Sequence, residues 1–379
     1  MRIAQHHWTA TEGWSGAPLD AADSVQLVLY FAASNVTAEA CPEQALKALY
    51  PAAHILGGTT GGEILGIEVD DETVAAVAVH LEHGTVQVVQ ARISGPEQSH
   101  AVGEQLAHGL PLEGLRSVFV LADGMLTNGS TLIPGLRTVL PESVALTGGL
   151  AGDGARFQRT LVGLDGPAES GVVAAVGFYG ERLTIGCGSV GGWERFGPER
   201  AITKSSANIL YELDGEPALD LYKRYLGEEA ANLPSSALFF PLTVRPPRDE
   251  KSAVVRTIVG VDEDAKAMIF AGDIPTGYVA QLMRGNFEEL MDGAGRAGTA
   301  AAVASANSGT TLALLVSCIG RKLLLGQSTC DEVEAVAEAL GPNAAIAGFY
   351  SYGEIAPHGF TGRCELHNQT MTVTTIGEA

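Results

Sequence analysis

The stretch GGTTGGEI at Gly57–Ile64 returns near the other end of the chain as GFYSYGEI at Gly348–Ile355, with Gly, Gly, Glu and Ile at the same positions. Each copy follows a short apolar run, His54–Leu56 and Ala344–Ala347, that itself follows a helix-like segment. Matched positions in matched surroundings require the chain to build one supersecondary unit more than once. GGLAGD at Gly148–Asp153 reads as a third copy, after the helix-like Ser130–Leu140 and the strand-like Val144–Thr147, and FAGD at Phe270–Asp273 as a weaker fourth.

The surroundings repeat in order as well as in sequence. Apolar strand, short helix, apolar strand, Gly-rich loop with an acid and then a strand hairpin can be read from Val25 to Ile93, from Ser117 to Val190 and from Leu312 to Ile376. The first two copies lie roughly ninety residues apart, too far for a solenoid array of ~20–50-residue repeats. The expectation is an α/β chain of mixed α+β character, with duplicated strand-helix-strand-hairpin half-domains forming mixed sheets flanked by helices. Two domains, 24–214 and 215–379, follow from the length of 379 residues and from the break near Asp214–Glu216.

Individual elements carry their own signals. Gln26–Ala32 is a continuous apolar run of the kind buried on both faces of a sheet, and Pro42 and Pro51 bracket a short helix. Thr73–Ile93 and Val172–Val190 read as hairpins turning at Glu82–Gly84 and near Gly180–Glu181. Pro217 opens an amphipathic helix through Ala218, Leu221, Tyr222, Tyr225 and Leu226 that Gly227 ends, and Thr276–Ala304 reads mostly as helix. His367–Ile376 reads as one strand, with Asn368, Thr370, Thr372 and Thr374 on one face and His367, Gln369, Met371 and Val373 on the other.

The formal charge of −21 is uninterrupted by any cluster of Lys or Arg, so neither nucleic acid nor an anionic membrane surface is an expected partner. Met1–Trp8 lacks the apolar core of a signal peptide, and the longest apolar stretches fall far below the ~20 residues of a span. The five cysteines form no C-x-x-C pair, and a cytoplasmic protein with reduced thiols is expected.

No G-x-S-x-G elbow, H-E-x-x-H or Walker loop is present, and the match of Gly186, Gly188 and Gly191 to G-x-G-x-x-G runs into Trp193 and Pro198 where a phosphate-binding helix should begin. Candidate site residues are therefore polar groups beside apolar runs. Tyr350 and Tyr352 offer aromatic faces with polar tips, while Glu354 and Glu63 either bond a ligand or cap backbone amides. His367 and Gln369 stand at the start of an otherwise apolar strand face, as a pocket mouth or as hydrogen-bonded packing groups. Arg284, Asn286, Cys318 and Arg321 complete the set, each also open to an ordinary salt-bridge or capping role.

The blocks LYELDGEPALDLY (Leu210–Tyr222), FPLTV (Phe240–Val244), GNFEELMDGA (Gly285–Ala294), SCIGR (Ser317–Arg321), GFYSYGEIAP and HNQTMTVT (His367–Thr374) resemble the signature of the FIST family's C-terminal domain. GGTTGGEI, ADGMLTNG (Ala122–Gly129) and GGLAGDG (Gly148–Gly154) resemble its N-terminal domain. The resemblance implies a free-standing cytoplasmic sensor that binds a small-molecule ligand and acts through a signalling partner such as a histidine kinase. Within that family some free-standing members are described as haem proteins sensing nitric oxide, which implies possible haem here with His367 as a motif histidine. An enzyme acting on a small polar metabolite through Glu354, His367 or Cys318 is the other alternative.

Overall fold

The computed structural model describes residues 1–20, 22–305 and 309–379. Three six-stranded sheets are built from three copies of one unit, and a fourth sheet belongs to an inserted segment. The first unit contributes Leu27–Ala33, His54–Thr60, a short edge strand Glu63–Leu65, Val74–His80 and Thr85–Arg92. The second contributes Leu115–Ala122, Ala145–Leu150, edge strand Val162–Leu164, Val172–Tyr179 and Leu183–Val190. The third contributes Thr311–Cys318, Ala344–Ser351, edge strand Gly353–Pro357 and Met371–Glu378, and its last place is taken by Arg2–Thr9 from the opposite end of the chain.

The three sheets share one wiring. In each, the first and second strands of a unit run parallel and the third lies antiparallel to the first. Beside the third strand lies the last strand of the preceding unit, and beside the second lies the edge strand of the following unit. Every unit thus lends a strand to each of its neighbours, and the sheets close into a three-sided prism.

The spans read as hairpins are corners. Val74–His80 pairs in the first sheet while Thr85–Arg92 pairs in the second, and Val172–Tyr179 and Leu183–Val190 are divided in the same way. Val74–His80 is buried on both faces and already flanked by two strands, which leaves no free edge for its sequence neighbour. Thr276–Ala304 is likewise not one helix: Val279–Gly285 is a strand, and the helix starts at Phe287 after Asn286 accepts the Glu288 N–H at 3.0 Å. His367–Ile376 is interrupted by Gln369, whose φ of 61° separates Cys364–His367 from Met371–Glu378, so the expected alternation holds only from Met371 onward.

Alternate residues of the central strands face inward and outward. Leu27, Leu29 and Phe31, Phe119 and Leu121, and Leu312, Leu314 and Val316 meet inside the prism, where the Phe31 and Phe349 rings stack at 4.8 Å. Val28, Tyr30 and Ala32 turn out toward the helix Pro42–Leu49, and Val118, Val120, Ala313 and Leu315 toward the helices outside the other two sheets. Residues 193–285 leave the prism after Leu183–Val190 and return before the helix Phe287–Ser305, carrying their own core around Leu210, Tyr222, Val244 and Phe270. Strands from both 24–214 and 215–379 therefore share two of the three sheets of the prism, while the first is built wholly from strands between Arg2 and Leu164. No helix among the described residues is long and apolar enough to cross a membrane.

Candidate functional site

The Gly-rich loops meet on the axis of the prism. The Gly61 N–H donates to the Tyr350 carbonyl at 2.7 Å, Gly152 to Thr59 at 2.9 Å and Tyr352 to Leu150 at 3.1 Å, a ring that hands each loop to the next. Glycine is needed here for close approach. A Cβ on Gly148 would stand 1.9 Å from the Val120 oxygen, and one on Gly348 2.0 Å from the Leu315 oxygen.

The register makes Ser34, Gly124 and Ile319 equivalent, each just beyond the first strand of its unit and against the loop of the next. Ile319 presses on Gly61, where an added Cβ would lie 2.8 Å from its Cδ1. Gly124 brings no side chain, and over Tyr352 a cleft of about 330 Å³ opens. Its walls come from Gly124, Met125, Thr127 and Asn128 of the ADGMLTNG block, Leu150 and Phe157 of the second unit, and Tyr352 of the third. The inserted segment closes the far side with Asn208, Val259 and Phe270–Gly272.

The cleft is held open by a rigid surround. Asp153 accepts the N–H groups of Phe157, Gln158 and Arg159 and bonds the Tyr352 hydroxyl. Burial alone would raise the Asp153 carboxyl, but the bonds from Tyr352, Arg159, Gln158 and Phe157 outweigh it and hold it below its ordinary value. The Phe157 ring stacks on Tyr352 at 4.5 Å. Asn128 caps the helix Gly129–Arg137 through the Ser130 N–H and reaches Asp273 of the inserted segment at 3.0 Å. The Thr127 hydroxyl is shielded from solvent and has no partner within the protein.

Of the residues singled out from sequence, Tyr352 lines this cleft and the others are placed elsewhere. Tyr350 and Arg321 are buried around Glu332: Tyr350 donates to it at 2.6 Å and Arg321 pairs with it at 2.7 Å. Arg321 also bonds the Gly191 and Leu290 carbonyls, tying the exit and return of the inserted segment to the third unit. Arg284 and Asn286 both bond Glu194 across the neck of that segment, at 3.1 and 3.2 Å. Glu63 and Glu354 are buried and spent on Thr and Ser donors. Cys318 is buried, and its thiol is pushed well above its ordinary pKa, so it is a poor nucleophile. Gln369 donates to the Leu238 carbonyl at 3.0 Å.

His367 is equally enclosed. Its Nε2 lies 3.0 Å from the Ala356 carbonyl and its ring stacks on His358 at 5.8 Å. Burial, with His358 alongside, drives its pKa down to about 3, so it is neutral. No histidine or cysteine lines the cleft, and the described residues contain no cluster of three metal-binding side chains. The cleft therefore offers neither a histidine nor a cysteine as axial ligand for haem.

Sequence reasoning missed Thr127, Asn128, Phe157 and Asn208. The signal within reach was ADGMLTNG itself, a block whose Gly, Thr and Asn follow a strand end and open a helix.

Family models place these blocks in a known context. The FIST N domain matches residues 26–216 and the FIST C domain residues 218–357. The chain belongs to the FIST family. FIST domains are associated with sensory roles in signal transduction. No curated protein matches the chain. Among solved structures, a cyanuric acid hydrolase from A. caulinodans is similar over 94% of this chain and 91% of its own, at 8% identity and a TM-score of 0.39. In this FIST chain the cleft draws its walls from both matched domains, Gly124 to Phe157 and Asn208 from the first and Val259, Phe270 to Gly272 and Tyr352 from the second.

Proposed function

We propose that this FIST protein is a cytoplasmic sensor that holds a small molecule in the cleft between prism and inserted segment and signals through a partner such as a histidine kinase. The observation that carries the reading is the cleft of about 330 Å³ itself, whose walls come from the prism at Gly124, Met125, Phe157 and Tyr352 and from the inserted segment at Asn208, Val259 and Gly272. Two bodies joined by a two-stranded neck form the cleft, so a ligand gripping both biases their relative position and gives a partner a changed surface to read. Five unpaired cysteines agree with a reducing compartment.

The test is recovery of small molecules from the purified protein by denaturation and mass spectrometry, on the wild type and on Met125→Trp. Met125 is half-exposed at the rim, so the larger ring fills the cleft without entering a core. A compound retained by wild type and lost from the folded variant is expected. Equal retention by both sinks the assignment of the cleft.

A further inference from the structure

We infer that the inserted segment is a hinged body latched to the prism by Asp273 of the FAGD loop, and that release of this residue changes the width of the clefts on either side of it. No buried apolar cluster among the described residues spans the boundary. The core around Leu210, Tyr222, Val244 and Phe270 draws only on residues from Ile202 to Leu282, and the clusters of the prism take nothing from that span. Bodies that share no apolar core move relative to one another unless polar contacts hold them.

Those contacts sit at two places. At the neck, the Gln369 carbonyl accepts the Trp193 indole N–H at 2.8 Å and the Gln369 amide donates to the Leu238 carbonyl at 3.0 Å. Gly192, with a φ of 73°, leaves the prism so close to the next helix that a Cβ would stand 2.2 Å from the Glu289 oxygen. This end is the pivot.

The other place is the start of the helix Gly129–Arg137. Asp273 is fixed within the inserted segment, because the Ala271 N–H goes to the Thr257 carbonyl and the Ile274 N–H to the Ala207 carbonyl, both at 2.9 Å, while its own carbonyl accepts Arg256 Nε at 3.2 Å. Its two remaining polar groups cross the boundary. The carboxylate accepts the Asn128 amide at 3.0 Å, and the N–H donates to the Ser130 hydroxyl at 3.2 Å. Asn128 is the helix cap, so the acid also stands at the positive end of the helix dipole. Gly272 permits the approach, since a Cβ there would lie 3.1 Å from both Leu366 Cδ2 and Ser130 Oγ. Arg256 reaches the Leu366 carbonyl at 2.9 Å, and His358 Nε2 lies 3.0 Å from the Ala253 carbonyl. Each of these rests on one side chain, whereas Asp273 engages through backbone and side chain together.

The latch is a ridge between two openings. Asn128 and Gly272 line the cleft of about 330 Å³, and Ser130, Asp273, Arg256 and Leu366 line a second of about 600 Å³. Both are walled by the two bodies together, so a swing of one against the other alters their widths whether or not either holds a ligand.

Pulsed EPR on the full chain tests this. Nitroxides are attached through noncanonical residues, because the chain has five cysteines of its own. Exposed Glu68 and Glu113 of the prism are each paired with exposed Asp264 of the inserted segment, and Asp264 with exposed Glu228 is a control pair within that segment. Asn128→Asp keeps a good helix cap but sets a second carboxylate against Asp273. It is expected to produce a distance population between the bodies that wild type lacks, as is Asp273→Ala. Asn128→Asp combined with Asp273→Asn re-forms a carboxylate–amide pair with the roles exchanged, and should return the wild-type distribution. The control pair should stay unchanged throughout. Wild-type distributions in both single variants would overturn the latch, and so would a double variant that does not return. A change in the control pair would overturn it as well, because it reports disruption inside the segment instead of a swing.

Discussion

The Oε2 oxygens of Glu63 and Glu354 accept the same pair of hydrogen bonds, from the N–H and hydroxyl of Thr73 in the first unit and of Thr370 in the third, at 3.3 and 2.9 Å and at 3.2 and 2.9 Å. The Oε1 oxygens match too, taking the hydroxyls of Thr60 and Ser351. Each glutamate staples an edge strand to the turn entering the third strand of its own unit. In the second unit the register puts Val162 and Val172 in these places, so an apolar pair replaces the acid and the threonine, and Asp153 is the acid of a longer loop. The repeated Gly-Glu motif is thus first a building element of the prism.

Both staples make stability fall as pH rises. Burial, opposed by the Thr and Ser bonds, raises Glu354 to about 8 and Glu63 to about 7, from an ordinary 4.5. Between 4.5 and those values the native state binds more protons than the unfolded one, so stability is full below the lower limit and is lost through the upper. Glu354→Gln imitates the protonated acid. Its unfolding free energy should therefore vary less than that of wild type between about pH 5 and pH 9, by an amount on the order of a few kcal/mol, read from urea unfolding. Parallel pH profiles would refute this.

His367 acts in the opposite direction. Its native pKa of about 3 lies below the ordinary 6.5, so the stability it supplies is present above 6.5 and is lost as pH falls toward 3. His367→Gln should lose part of this acid sensitivity, read as a smaller drop in denaturation midpoint between pH 7 and about pH 4. An unchanged acid limb would show that the ring is not buried neutral.

Much of the prism was legible in sequence and its wiring was not. The shared Gly and Glu positions, Pro42 at the start of a helix and the unbroken apolar runs fixed the units, because each reflects a local backbone or burial demand. What failed was partner choice: Val74–His80 and Thr85–Arg92 look like one hairpin because local alternation says nothing about which edge a strand meets. Arg2–Thr9 fell outside every motif, and its place was set by a gap in the first sheet. The cleft was hidden for the same reason. Gly124 matters only through its equivalence to Ile319, and Asn208 only through the return of an inserted segment to the prism.

Arg321 and Glu332 form an ion pair with neither side chain exposed, and Arg321 holds two carbonyls beside it. Removing one partner strands the other charge in the core, so Arg321→Met should cost ~3–5 kcal/mol in urea unfolding. Arg321→Met combined with Glu332→Gln should recover part of that loss, because the stranded charge is gone. A double variant less stable than the sum of both single losses would contradict this account.

The closing strand offers the sharpest test of the three-fold wiring. Arg2–Thr9 pairs antiparallel with Val74–His80 from Arg2↔His80 to Trp8↔Val74. Ala4, His6 and Trp8 are its buried residues, and the His6 Nε2 lies 2.7 Å from the Tyr50 hydroxyl. Without it, Val74–His80, an apolar strand buried along nearly its whole length, becomes an open edge. A chain lacking residues 1–16 should therefore melt at a lower temperature and associate through that edge, seen as concentration-dependent mass in light scattering. A synthetic peptide of residues 1–16, added in excess, should restore the mass and the melting temperature of the full chain by refilling the vacant place, as a strand added to a sheet edge does. A peptide with His6→Asp and Trp8→Asp should fail, because it puts charge where the strand must be buried. If the truncated chain keeps the assembly state of the full chain with an unaltered melting temperature, the strand is an ornament and the three-sided closure is wrong.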